Sequence, residues 1–394
     1  MSAITSLIDY GKFFLSTLRT STGRNLLNAH RQQLRIQPVD HGEWMKSLTA
    51  AADHLERSLS TGQDAGSGSY HLVHGWGPSY PETTGYMLPT LFALSDRSDR
   101  KELADRAMDA ASWLVSVQLP EGGWPGGRIG EGRPAIVFNT AQVIRGLLAV
   151  HERTREERFA HAIRAAADWI VSVQRSDGSW SEHNFLGRAR TYDSYVAAPL
   201  LQAHAQLHGP SWAESAERNL RWVLSRQQSN GWFADCDNTV EHNDRPVTHT
   251  LAYTIDGLLE CHRILGRSDL LEAARIPSLA LLDAMIGRKR IHGRYDSNWH
   301  GSELPIPTGC AQLALCWHAL WELTKDTRFL QGSRWIMDWS IAVQRTSFLG
   351  PADVHGALPG SFPLWGRYEK FAFPNWATKY FVDALLCVEP LRSE

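Results

Sequence analysis

The chain is poor in the features that mark several common protein classes. Its 394 residues include only five cysteines, an odd number with no Cys-x-x-Cys pair, which excludes a disulfide scaffold and a cysteine-rich zinc cluster. There is no basic excess: 40 Lys and Arg stand against 42 Asp and Glu, unlike the composition of a nucleic-acid binder. No run of about 18 apolar residues occurs, so no integral membrane segment is expected. Residues 1–21 lack the basic, apolar and small-residue order of a signal peptide, and the cytoplasm is the expected location. Alternation of strand type is scarce, which leaves room for no more than a short β-hairpin inside a loop. With 43% hydrophobic and 21% charged residues, the chain can bury a sizeable core and is not disordered.

Tryptophan, in contrast, is abundant, with 16 copies, and its positions carry a repeat. The segments ASWLVSVQLPEGGW (111–124), ADWIVSVQRSDGSW (167–180) and LRWVLSRQQSNGW (220–232) each place a Trp in a helical stretch, then a Gln, then a Gly turn and a second Trp. Self-similarity at a fixed period outranks any local reading of secondary structure. Ile163, Ala166, Ala167, Ile170 and Val171 lie at helical spacing. After a polar loop, 192–208 reads as a second helix that ends before Gly209-Pro210. The same unit tiles the chain. First helices are expected near 43–60, 100–118, 156–174, 211–227, 268–287 and 327–344. Second helices are expected near 83–96, 139–153, 192–208, 248–265, 308–324 and 376–390. The links from first to second helix are long, and those from second to first are a few residues. Six such hairpins closed into a ring predict an all-α (α/α)6 barrel over 41–394 with its long loops on one face. Residues 1–40 read as a helical extension, with Phe13 and Phe14 as its packing residues.

The Gln-to-Gly-Trp pattern resembles the repeats of squalene and hopene cyclases and the prenyltransferase repeat, which are α/α barrels. Class II cyclases of that kind carry an acidic Asp-x-Asp-Asp motif. The nearest match here is Asp235-Cys236-Asp237-Asn238, whose last position is not acidic. A second resemblance covers about residues 70–390. YPETTGY (80–86), THTLAYTIDGLLE (248–260), GSFPLWGRY (360–368) and FPNWATKYFVDALL (373–386) are similar to a group of bacterial proteins associated with polysaccharide biosynthesis. Gly-Gly-Trp-Pro at 122–125, followed by a helix ending in LLAVHERT, resembles the helical domain of glucuronyl C5-epimerases. This second resemblance implies an enzyme working on a bacterial polysaccharide or oligosaccharide; no cofactor is expected.

Each long loop carries one Trp of the set Trp76, Trp124, Trp180, Trp232, Trp299 and Trp365. Flat aromatic faces suit the C–H faces of sugars, and Tyr80 and Tyr192 at second-helix starts join them as binding candidates. A glycoside hydrolase needs two carboxyl groups across its cleft, one protonated and one ionised. Glu82, at the mouth of a second helix, is the leading acid, with Asp193 or Asp235 as its partner. His249 and Tyr253 are four residues apart and share a helix face. They offer the base and acid that β-elimination from a uronate, or C5-epimerisation, requires. Loop arginines such as Arg294 and Arg367 suit bidentate binding of a sugar carboxylate. Even so, the loops hold 13 basic against 14 acidic residues, so the face is not net basic. The spacing of Asp235, Asp237, His242 and Asp244 matches no known metal loop, and no metal is assigned. Hydrolysis is the favoured reaction, with elimination or epimerisation, a cyclase-like enzyme and a non-catalytic glycan binder as rivals. A structure is expected to open Glu82, Asp193, Trp232, His249 and Trp365 on one face of twelve barrel helices.

Overall fold

The computed structural model describes residues 3–388 except 33, 35, 63, 240–243 and 288. Two helices precede the ring, α1 (Ala3–Leu18) and α2 (Ser21–Arg31). Six hairpins follow, each an outer and an inner helix. In chain order these are α3 (His41–Ser58) with α4 (Pro81–Arg97), α5 (Glu102–Ser116) with α6 (Val137–Thr154), and α7 (Glu157–Ser172) with α8 (Ser194–Leu207). The second half pairs α9 (Trp212–Ser225) with α10 (Thr248–Leu265), α11 (Ser268–Leu282) with α12 (Pro307–Thr324), and α13 (Thr327–Ser347) with α14 (Asn375–Cys387). The inner helices α4, α6, α8, α10, α12 and α14 touch in sequence, and α14 returns to α4. The fold is an (α/α)6 barrel.

Local chemistry sets the helix ends. Asp40 and Asp326 cap α3 and α13 by accepting backbone N–H bonds through their carboxylates. Pro81 and Pro307 open α4 and α12, where the missing N–H is no loss. The outer helices have one apolar face, whereas α4, α8 and α12 are buried on nearly every side. They are enclosed by outer helices on one side and by the filled lumen on the other. Neighbouring inner helices come very close. A Cβ on Gly146 would lie 2.1 Å from the Gly85 carbonyl oxygen, so α4 and α6 cross backbone to backbone there.

The repeated Gln explains the ring. Gln118, Gln174 and Gln227, just beyond α5, α7 and α9, each donate through Nε2 to a carbonyl of their own loop and to one on the next outer helix. The latter acceptors are Ala162, Ser215 and Ala273 at 2.9, 2.9 and 2.7 Å. Gln344 in α13 makes the corresponding bond back to Ser47 in α3 at 3.0 Å, and another to Gly356 at 2.8 Å. This last clasp joins the sixth hairpin to the first. The turn tryptophans cap the same helices: Trp124 Nε1 donates to the Leu114 carbonyl and Trp180 Nε1 to that of Ile170. Both acceptors belong to the last turn of a helix, where carbonyls run short of backbone donors, although the Leu114 carbonyl also accepts from the Val117 N–H at 3.3 Å.

Helix positions follow the sequence expectation closely. One difference is in the fifth outer helix, which changes to a π-helical turn at Asp283–Gly287. The long loops contain three antiparallel pairings: β1 (Tyr70–His71) with β2 (Gly75–Trp76), β3 (Arg294–Tyr295) with β4 (Gly301–Ser302), and β5 (Ala372–Phe373) beside β1. Helices α1 and α2 form a small core of their own on the sixth loop. Phe13, Leu26 and Leu27 pack there with Val354, Leu364, Phe371 and Phe373. Among the described residues, no helix is long and apolar enough to cross a membrane.

Gln344→Ala should lower stability by about 1–3 kcal/mol, the cost of leaving buried carbonyls without a donor. Gln344→Glu, which keeps the shape but loses both N–H groups, should cost at least as much. Urea unfolding followed by far-UV circular dichroism checks both.

Candidate active site

All six long loops and the first turns of four inner helices enclose one cavity of about 930 Å³. Its floor is built from helix starts: Glu82, Thr83 and Tyr86 on α4, Phe138 and Asn139 on α6, His249 and Tyr253 on α10, and Trp376 on α14. The first turns of these four inner helices therefore meet at the same end of the barrel.

Glu82 is 9% exposed, and it shares that buried floor with a group of phenols. Burial pushes its carboxyl up to about 7, against the hydrogen bond donated by the Tyr80 hydroxyl. That hydroxyl also accepts from Asn139 Nδ2 at 3.0 Å. The Tyr80, Tyr86, Tyr192, Tyr253 and Tyr368 phenols are all pushed up, first by burial and in part by the charge of Glu82. A second carboxyl, Glu369, lines the cavity and is also raised by burial, while Arg128 opposes the shift.

His249 and Tyr253 face the cavity together, with ring centroids 4.4 Å apart. Burial lowers His249 to about 4, so the ring is neutral. Its Nδ1 lies 2.6 Å from Gln312 Oε1. With that oxygen as acceptor the proton sits on Nδ1, and Nε2 keeps its lone pair for a ligand. Tyr368 stands 5.6 Å from His249, ring to ring, and accepts a hydrogen bond from Trp376 Nε1 at 3.2 Å.

The walls are charged and self-paired. Glu131 bonds Arg133 at 2.7 Å and lies 3.9 Å from Arg128. Glu303 stands between Arg294 and Arg367, at 3.2 Å from each. Arg294 is held further by the buried Asp237 at 3.0 Å, and by Thr239 and the Arg245 carbonyl.

The cavity thus unites Glu82, His249, Tyr253, Tyr80, Tyr192, Arg294 and Arg367 from the sequence candidates. The others lie elsewhere. Asp193 is fully buried beside Tyr192, where its Oδ2 accepts from Asn184 Nδ2 at 2.7 Å and burial holds its carboxyl well above the usual range. Asp235 lies outside the cavity, because its carboxylate is taken by Arg226 at 2.6 Å. The loop tryptophans do not form the expected sugar platform. Trp124 and Trp232 are buried struts, the latter donating toward the Tyr295 carbonyl, and Trp299 donates to Asn230. Trp76 donates to Asp353 and faces His54, and Trp365 packs on the small core of α1 and α2. In each case an indole N–H or face satisfies the loop itself, leaving tyrosines to line the cavity. His242 lies outside the described residues, and among those described no three His, Cys, Asp or Glu side chains converge in a metal-type group.

Residues 76–255 match the family model of the squalene-hopene cyclase C-terminal domain. An ent-copalyl diphosphate synthase from Streptomyces sp. (strain KO-3988) is 28% identical over 152 residues, 39% of this chain and 26% of that protein. The match therefore spans about a quarter of that relative. Among solved structures, an unsaturated glucuronyl hydrolase specific for heparin superposes with a TM-score of 0.69 at 14% identity, covering 89% of this chain and 97% of its own. Another, from Bacillus sp. GL1, gives 0.67 at 15% identity over 88% and 97% of the two chains. An α-amylase from Clostridium perfringens gives 0.62 at 11% identity over 89% and 100%. At such identities the likeness is one of fold, and it is the six-hairpin α/α barrel. The residues matched to the cyclase model include Gln118, Gln174 and Gln227. The Asp235–Asn238 segment that would be its acidic motif is occupied by ion pairs to Arg226 and Arg294.

Because Glu82 titrates in the fold near 7 rather than at its ordinary 4.5, its contribution to stability is complete below about 4.5 and is lost as pH rises through 7. The melting temperature of Glu82→Gln should therefore fall less between pH 5 and pH 8 than that of the wild type. Parallel thermal melts at the two pH values measure the difference.

Proposed function

We propose that this chain is a glycoside hydrolase acting on an anionic oligosaccharide, with Glu82 as its general acid. The observation that carries the reading is a buried carboxyl raised to about 7 on the floor of the barrel cavity, hydrogen-bonded by Tyr80. Such a group still holds its proton near neutral pH and can release it in the transition state. Glu369 is the complementary carboxyl; burial raises it, and the charge of Arg128 draws it back toward the ionised form. In the reaction the Glu82 proton passes to the glycosidic oxygen and the bond from that oxygen to the anomeric carbon breaks. A water that gives its proton to Glu369 adds to the same carbon. The tyrosine and Trp376 faces cover the sugar's C–H surfaces. Asn139, His249 Nε2 and the phenols meet its hydroxyls. Five arginines line the cavity, which suits a sugar acid. The fold shared with glucuronyl hydrolases, one of them specific for heparin, supports the same class of substrate.

A second reading rests on one observation, the neutral His249 set beside Tyr253. A base and an acid side by side suit proton abstraction next to a uronate carboxyl, followed by elimination. The two chemistries separate by product. Incubation with a panel of acidic exopolysaccharides should release reducing ends without the absorbance of unsaturated uronates, whereas elimination would give both.

Glu82→Gln should lower kcat/KM by at least about 10²-fold with the fold intact. In the wild type, activity should fall as pH rises through about 7, where Glu82 loses its proton. Tyr253→Phe should cost only about tenfold, one substrate hydrogen bond. A loss beyond about 10³-fold at unchanged melting would favour elimination.

A further inference from the structure

The glycine-rich second loop carries an unusual arrangement. Within residues 126–134, Glu131 reaches both arginines of its own loop, Arg133 at 2.7 Å and Arg128 at 3.9 Å, and all three line the cavity. The arrangement depends on Gly127, with φ +133°, where a Cβ would sit 2.5 Å from the Glu131 carboxylate. Nothing lies within 4 Å of where a Cβ would stand on Gly130 or Gly132, which flank Glu131 on either side and both have positive φ. Glu131 therefore sits on a tip that open space surrounds, between residues of the widest backbone freedom.

Of the other arginine pair in the cavity, Arg367 is 84% exposed and bonds Glu303, and Arg294 is the fixed member. Arg294 is tied to Asp237, Thr239, Glu303 and the Arg245 carbonyl, and its side chain is only 13% exposed. It cannot exchange its partners without breaking a buried ion pair. Arg128 and Arg133 have side-chain exposures of 39% and 56%, and Glu131 is the partner they share. Arg128 also reaches the chemistry electrostatically, since its charge acts on both Tyr80 and Glu369.

We propose that Arg128 and Arg133 form the subsite for the substrate's carboxylate, and that Glu131 occupies it until the substrate arrives. This rests on the hydrolase reading for the identity of the ligand as a sugar acid. The resident group is itself a planar carboxylate, with Arg133 Nε 2.7 Å from one oxygen and Arg128 Nη1 3.9 Å from the other, so the two guanidinium groups already flank a carboxylate. An entering uronate replaces Glu131, which swings out on Gly130 and Gly132. The sugar is then anchored beside Arg128, next to Tyr80 and the carboxyl floor. A neutral sugar has no charge with which to displace Glu131, so the device selects acidic sugars by competition.

The test is titration of D-glucuronate and of D-glucose into wild type, Glu131→Gln and the double variant Glu131→Gln/Arg133→Gln, by calorimetry at low ionic strength. Glu131→Gln should bind glucuronate about three- to fivefold more tightly than wild type, the scale of a part-exposed ion pair. Its affinity for glucose should be unchanged, and the double variant should lose the gain. Equal glucuronate affinity in wild type and Glu131→Gln would overturn the proposal, as would undetectable glucuronate binding by both folded proteins. Either result would leave the hydrolase reading to stand or fall on Glu82→Gln. Tighter binding of both sugars would also overturn it, since that would mark Glu131 as a steric obstacle and not an ionic one.

Discussion

The ring depends on one side chain used four times. A glutamine at the end of an outer helix spends its amide N–H groups on two carbonyls, one in its own loop and one on the next outer helix. Amide donors of this kind are cheap to form and costly to lose once buried. The clasps tie the second hairpin to the third, the third to the fourth, the fourth to the fifth and the sixth to the first, and the tryptophans that follow the first two glutamines close the helix ends they adjoin. Everything at the top of the barrel inherits this order. The clasped hairpins hold their neighbours in place, and the first turns of α4, α6, α10 and α14 meet in one cavity.

That meeting explains the electrostatics of the cavity. Its floor is a layer of phenols with the Trp376 indole, and Glu82 is the acid set among them. Beneath it the lumen is filled and does not open into a channel. Arg145 bonds Glu260 at 2.8 Å and lies over the Tyr195 ring, and Lys379 lies over Tyr380. A carboxyl placed above such packing loses its hydration, and its proton is retained to higher pH. The walls face solvent and carry paired charges instead. The floor is therefore buried, and the rim is ionic and self-paired.

Some of this was legible in the residues themselves. Twelve barrel helices follow from apolar spacing and from Gly and Pro breaks, since an outer helix must show one apolar face and an inner one must be apolar nearly all round. Glu82, His249 and Tyr253 were legible because a residue at the start of an inner helix has no choice of end. The same rule, applied to the start of α6 and one turn into α4, would have added Phe138, Asn139 and Tyr86. Glu131, Tyr368 and Glu369 carry no such signal. They lie within long loops, whose paths are set by contacts far away in the chain.

The tryptophans mark where sequence stops and tertiary structure decides. Periodicity placed Trp124, Trp180 and Trp232, the other three loops carry one each off that register, and all six looked like candidates for a sugar platform. An indole is equally suited to cover a saccharide or to plug a helix end, and its N–H must find an acceptor wherever it is buried. In this fold the nearest acceptors were the carbonyls of helix ends and loops, or Asp353, so the rings turned inward or sideways. The sequence by itself determined the helices, their alternation and the acid at the mouth of the first inner one. Only the closed ring decided which side chains share the cavity, because burial and pairing depend on neighbours that lie one or more hairpins away.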